Sequence, residues 1–195
     1  GQIQEIGHVV ARAVPTGQTA LTQRTIVSYT VTNGTVAKFT SSAFTTATNG
    51  SGALSTTAPV IFSSQLNGAV YFADGANEKK WTASTNTVAA WVASPGTLPA
   101  SGSDRPRLIE TWRGRIVLSG LKGDEHNWFM SEMGDANDWD YSPSTANATQ
   151  AVAGNQQEAG KSPDIINGMI PFSDDILVFL GDHTIHQMTG DPAES

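Results

Sequence analysis

The chain has 195 residues, 18 of them acidic against 11 lysines and arginines, and its net charge of −7 sets it as a whole against phosphate backbones and anionic bilayers. The absence of cysteine excludes disulfide staples, thiolate zinc sites and a thiol nucleophile. Charged residues make up only 15%, and Gly, Ser, Thr, Ala and Asn are abundant, the composition of a β-rich protein with many tight turns.

The length admits one sizeable domain with a core. We read residues 1–195 as a single domain or a fragment of one, because the chain opens on GQIQEIGHVV and stops at GDPAES directly after a strand pattern. The longest purely apolar run, ILVFL at 176–180, is far short of the roughly 20 residues that span a bilayer, so no membrane partner is expected.

In chain order, the first clear element is TIVSYTVTNGTVAKFT (25–40), two alternating runs around Asn33-Gly34. Both turn residues tolerate the positive φ of a type I′ turn, so the spacing predicts a hairpin. Three longer stretches follow and share one grammar: 58–91, 105–139 and 164–191. Each has a first strand, a short polar turn, an apolar second strand, an Asp/Gly loop and a third strand. The second strands centre on Tyr71, Val117 and Val178, and the third on Trp81, Phe129 and Ile185. TIVSYTVTNGTVAKFT supplies an earlier second and third strand.

Units of roughly 45–60 residues built from three or four short antiparallel strands are the pattern of propeller blades. The predicted fold class is therefore all-β, with antiparallel four-stranded blades in a β-propeller-like array. A β-sandwich is the alternative, since consecutive hairpins mimic repeats. The last unit lacks its outer strand. Between the third and fourth units, the polar stretch 141–164 is longer than an ordinary loop and reads as an arm or a long loop within the domain.

The loops hold the candidate chemistry. Asp124, Glu125 and His126 in GDEHNW, and Asp135 and Asp138 in GDANDW, each lie between a glycine and a tryptophan, where Asp and Asn bond their own backbone and turn the chain. The Asp135–Asn137–Asp138 spacing does not fit an EF-hand loop. His183 and His186, after Asp182, sit three apart, and on a regular strand such residues face opposite ways, which opposes chelation. Asp74 and Glu78, or Asp174 and Asp175, could be distant members of a glycosidase carboxylate pair, but solvated turns explain them more simply. No nucleophile elbow, P-loop or dinucleotide fingerprint occurs. Catalytic, metal and cofactor residues are expected to be none.

Arg105, Arg107, Arg113 and Arg115 form the one basic cluster. Each pair is two apart, and the strands carrying them are expected hairpin partners, so the four are predicted to share a face. That face is either solvated beside Asp104 and Glu110 or a subunit-contact patch for an acidic neighbour or phosphate. The five tryptophans, at 81, 91, 112, 128 and 139, are expected to pack between sheets.

RPRLIETWRGRIVLSG with WFMSEMGDANDW, followed by INGMIPFSDDILVFLGDHTIHQMTGDP, resembles virion proteins of tailed bacteriophages, in particular the propeller-containing tail-nozzle and packaged-DNA-stabilisation proteins of short-tailed phages. The resemblance covers about 58–191. It implies a non-enzymatic structural role: copies of the chain assemble in the host cytoplasm into a ring below the portal, contact portal, adaptor and other tail proteins, retain the packaged genome, and let double-stranded DNA pass without sequence-specific binding. The competing reading is a carbohydrate-binding or glycan-hydrolysing propeller module.

Overall fold

The computed structural model describes residues 2–13 and 23–193. It is all-β, without a helix among the described residues. Four antiparallel sheets are arranged as the blades of a β-propeller, in chain order. Blade 1 holds β1 (Ile3–Ala13), β2 (Gln23–Thr32), β3 (Thr35–Thr40) and β4 (Ala43–Thr46). Blade 2 holds β5 (Phe62–Leu66), β6 (Ala69–Ala73), β7 (Glu78–Thr82) and β8 (Thr87–Ala90). Blade 3 holds β9 (Leu108–Trp112), β10 (Arg115–Leu121), β11 (Asp124–Met130) and β12 (Val152–Ala153). Among the described residues blade 4 has three strands, β13 (Ile166–Ser173), β14 (Ile176–Gly181) and β15 (Ile185–Thr189), without the outer strand of the other blades, as expected.

The repeated grammar has a physical basis in one turn. Asn33-Gly34, Asn67-Gly68 and Arg113-Gly114 all adopt two consecutive positive φ angles, 50° and 71°, 52° and 79°, and 50° and 72°. This is the mirror-image turn whose twist matches that of antiparallel strands. Arginine lacks the side-chain chemistry that eases this conformation in asparagine, so Arg113 is strained locally. Contacts to blade 4 hold it: its guanidinium donates to the Asp174 carbonyl at 3.0 Å and pairs with Asp191 at 3.5 Å.

The core consists of three clusters, one at each junction. Val27, Tyr29 and Val31 of blade 1 meet Val70, Phe72 and Trp81 of blade 2. Tyr71 on the other face of blade 2 meets Ile109, Ile116 and Leu118 of blade 3. Val117, Trp128 and Met130 of blade 3 meet Met169, Leu177 and Phe179 of blade 4. Blades 2 and 3 are thus covered on both faces, and every residue of β6 and β10 is buried. All five tryptophans are buried at these junctions, and each indole N–H has an acceptor: Asn86 Oδ1 for Trp81, and the carbonyls of Ala136 for Trp91 and Trp139, Ser173 for Trp112 and Gly160 for Trp128.

Residues 141–164 do not project as an arm. They run back along the outer edge of β11, where Val152 and Ala153 complete blade 3 opposite Met130 and Phe129. Below that strand the Gly154 N–H donates to the Trp128 carbonyl and the Ser162 N–H to the His126 carbonyl. Above it, Arg115 reaches out of β10 and donates to the carbonyls of Ala148, Thr149, Gln150 and Ser131 at 2.7–3.1 Å. Its side chain and that of Asp191, 3.3 Å away, are both fully buried. One Arg115 nitrogen, Nε, is buried without a partner, so the site is held by its terminal nitrogens. A buried guanidinium therefore fixes this polar segment, which is a long loop within the domain.

Arg115→Met removes the donor for four carbonyls and leaves Asp191 paired with Arg113 and the Ala193 N–H. It should destabilise the fold by roughly 3–5 kcal/mol, the usual effect of breaking a buried pair. Urea unfolding should show a lower midpoint, and limited proteolysis should cut first within 142–150; an unchanged midpoint with the segment still protected contradicts this account.

Candidate functional site

The loop carboxylates act as turn makers. Asp135 Oδ1 accepts from the Asn137 N–H at 2.8 Å, Asp138 Oδ1 from the Asp140 N–H at 3.0 Å, and Asp140 Oδ1 from the Ser142 N–H at 3.0 Å. Glu125 Oε1 accepts from the Gly123 N–H at 3.0 Å. Asp124 binds Asn127 Nδ2 and Lys161 Nζ, tying the β10–β11 turn to the 141–164 segment. Asp74 caps its own loop through the Ala76 and Asn77 N–H groups and also holds the Ser55 N–H of the preceding connection. His126 Nδ1 lies 3.1 Å from the Ser162 carbonyl.

SEMGDANDW is a closed box at the end of β11. The Ser131 hydroxyl accepts from the Ile116 N–H and donates to the Glu132 carbonyl. The Glu132 N–H donates to the Asp138 carbonyl, and the Gly134 N–H to the Gly114 carbonyl in the neighbouring turn. Trp139 enters the junction with blade 2, and its backbone N–H donates to the Pro95 carbonyl. Asp135→Asn keeps a carbonyl acceptor for the Asn137 N–H, so this exchange should shift stability by less than about 1 kcal/mol; a thermal melt that drops far more would assign Asp135 a further role.

The four arginines do not share a face. Arg105 and Arg107 precede β9, Arg113 occupies the turn, and only Arg115 lies on a strand, with its side chain buried. The Arg113-Gly114 turn is the reason, because its positive φ angles take Arg113 out of the strand that a two-residue spacing had implied. Arg105 Nε pairs with Glu78 at 3.3 Å, and Arg107 donates to Asn167 Oδ1 at 2.7 Å. Arg105 and Arg107 do meet, beside Lys122, in an open cleft of about 490 Å³ between the loops of blades 2, 3 and 4. Asp104, Glu125 and Asp182 line the same cleft, so its cations are matched by carboxylates.

Separation along the chain concealed two further groupings. Asp164, in the connection before β13, approaches Asp182 and His183, with one ligand-type atom of each within 4.8 Å of the others. The His183 and Thr184 N–H groups and the Thr184 hydroxyl all donate to Asp164 Oδ2, and these donors, led by the His183 N–H, hold its carboxyl down at about 2. The group closes the β14–β15 turn. On the inner strands, Tyr29 Oη lies 2.6 Å from Ser63 Oγ, which donates to Glu5 at 2.9 Å and so links blades 1 and 2. Burial pushes the Glu5 carboxyl up against the Ser63 hydrogen bond, and pushes the Tyr29 phenol up to about 12, keeping it a proton donor. Glu110 on β9 is also raised, first by burial and further by the charge of Glu5. Serine beside a carboxylate, without a histidine in the relay, is positioned more than activated.

Glu78 is the most perturbed carboxyl. Its side chain is 7% exposed, and Oε1 is buried without a partner. Arg105 lowers its pKa, but burial outweighs the ion pair and raises it from 4.5 to about 7. A native carboxyl raised in this way binds its proton more tightly than the unfolded chain does, so its contribution to stability declines as pH rises from 4.5 to about 7. The wild-type melting temperature should fall across that interval, and Glu78→Gln should flatten this component; equal slopes in both proteins would remove Glu78 from the account. Comparison with protein-family models and with curated proteins finds no match to this sequence.

Proposed function

We propose that the chain is a structural component of a bacteriophage tail, a nozzle or tube extension below the portal in which copies assemble into a ring that retains the genome and gives it an exit. The observation that carries this reading is the position of the residues behind the resemblance. RLIETWRGRIVLSG forms β9, its turn and β10, and SEMGDANDW forms the box that anchors Trp139 between blades. The motif is thus part of a blade scaffold, as expected of a protein whose work is assembly. Asp74, Glu125, Asp135 and Asp138 accept from backbone N–H groups of their own loops, which also fits a scaffold.

The acidic balance supports the channel role. A net charge of −7 offers few attractive contacts to phosphate. DNA beside such a surface slides instead of adhering. The ring places identical subunits in contact with portal and adaptor proteins on the tail axis.

Mass spectrometry of purified virions of the encoding phage should detect the chain, and electron microscopy with a tagged copy should locate it on the tail axis below the portal. Absence from the virion overturns the proposal. Binding to a defined glycan on an array, or hydrolysis of one, would favour the carbohydrate module.

A further inference from the structure

We infer that blade 4 of one copy packs face to face against blade 1 of a second copy, so that the run of blades continues from chain to chain. This rests on the assembly half of the tail proposal and is independent of the virion half.

The blades follow one rule. After the turn of each later blade, the second and fourth residues of the next strand face the preceding blade: Val70 and Phe72 in blade 2, Ile116 and Leu118 in blade 3, Leu177 and Phe179 in blade 4. The intervening residues face the following blade, as Tyr71 does in blade 2 and Val117 in blade 3. In blade 4 those positions are Ile176, Val178 and Leu180, which are only partly buried and belong to none of the three clusters. Register places Ile170 beside Val178 and Ile185 beside Leu180, with 46% and 74% of their surfaces exposed.

Blade 1 carries the complementary omission. Its following face is buried through Val27, Tyr29 and Val31, whereas its preceding face displays Ile6, Ile26, Phe39 and Phe44, which are 43–74% exposed. The three hydrophobic clusters cover only the junctions of blades 1–2, 2–3 and 3–4, so these two faces do not cover each other among the described residues. The exposed isoleucines and phenylalanines of these two faces are the surfaces that copies of a chain of net charge −7 can bring together.

The occupant follows from continuity with the three existing junctions. Each joins the following face of one blade to the preceding face of the next, and the free pair is one more such junction divided between the two ends. Identical faces need not meet, so the contact is head to tail and closes into a ring where its rotation permits.

Because the chain has no cysteine, single introduced thiols report cleanly. Ile26→Cys and Ile185→Cys chains, mixed and treated with a short bismaleimide, should cross-link mainly to each other, and Ile185→Asp should weaken self-association by at least about tenfold in sedimentation while its circular dichroism stays unchanged. Both substituted residues are exposed, so folding is retained. A wild-type chain that stays monomeric at high concentration, like-with-like cross-links that dominate, or an Ile26→Cys/Ile185→Cys chain that links only within itself would each overturn the inference. Virion localisation is read separately, so failure here leaves the tail role standing and failure there leaves this contact standing.

Discussion

A sheet within a row of blades has no solvent face, and this constraint shapes most of the molecule. In β6 and β10 both the odd and the even residues must be apolar or satisfied, so AVYFA and RIVLSGL read as near-continuous runs instead of the alternation of a half-exposed strand. Polar residues survive there only with a partner. Ser119 gives its hydroxyl proton to the Asn127 carbonyl, and Arg115 has carbonyls and Asp191 around it. The tryptophans solve the same problem at larger scale, filling the space between twisted sheets while each indole N–H finds an acceptor.

The Arg115 arrangement shows how a long polar segment becomes part of the scaffold. A strand edge with unpaired N–H and C=O groups invites pairing, and β11 would present one without residues 148–162. For β11 the cover comes from the same chain, through Val152 and Ala153. Four carbonyls converge on one guanidinium because a charged donor makes stronger hydrogen bonds than a neutral one. Asp191, from beyond β15, balances the charge and ties the end of blade 4 to the outer edge of blade 3.

Much of the fold was legible because its signals are local. Asn33-Gly34 identified its hairpin, the spacing of Tyr71 and Trp81 identified second and third strands, and the missing outer strand of the last unit was apparent from where the pattern stopped. The turn role of Asp135 and Asp138 was legible for the same reason, since an Asx turn bonds only two residues onward. The arginines were misplaced because alternation was assumed through Arg113-Gly114, where a positive φ replaces a strand position. Contacts across blades left no local trace: Glu5 with Ser63, Asp164 with His183, and Arg115 with Asp191 are each brought together by the stacking of sheets.

The distribution of charge follows the same division between faces and loops. Carboxylates concentrate where the chain turns, because there Asp oxygens can reach backbone N–H groups and remain hydrated. Charges buried among the strands are held by partners, Arg115 by four carbonyls and Asp191, and Glu78 by Arg105. Acidity can therefore accumulate on the loop surfaces without weakening the blade contacts. Long-range repulsion from the loops and short-range attraction between apolar faces then act on different parts of the same molecule. Copies of such a chain resist indiscriminate clustering and retain directional contacts, the combination that an ordered assembly requires.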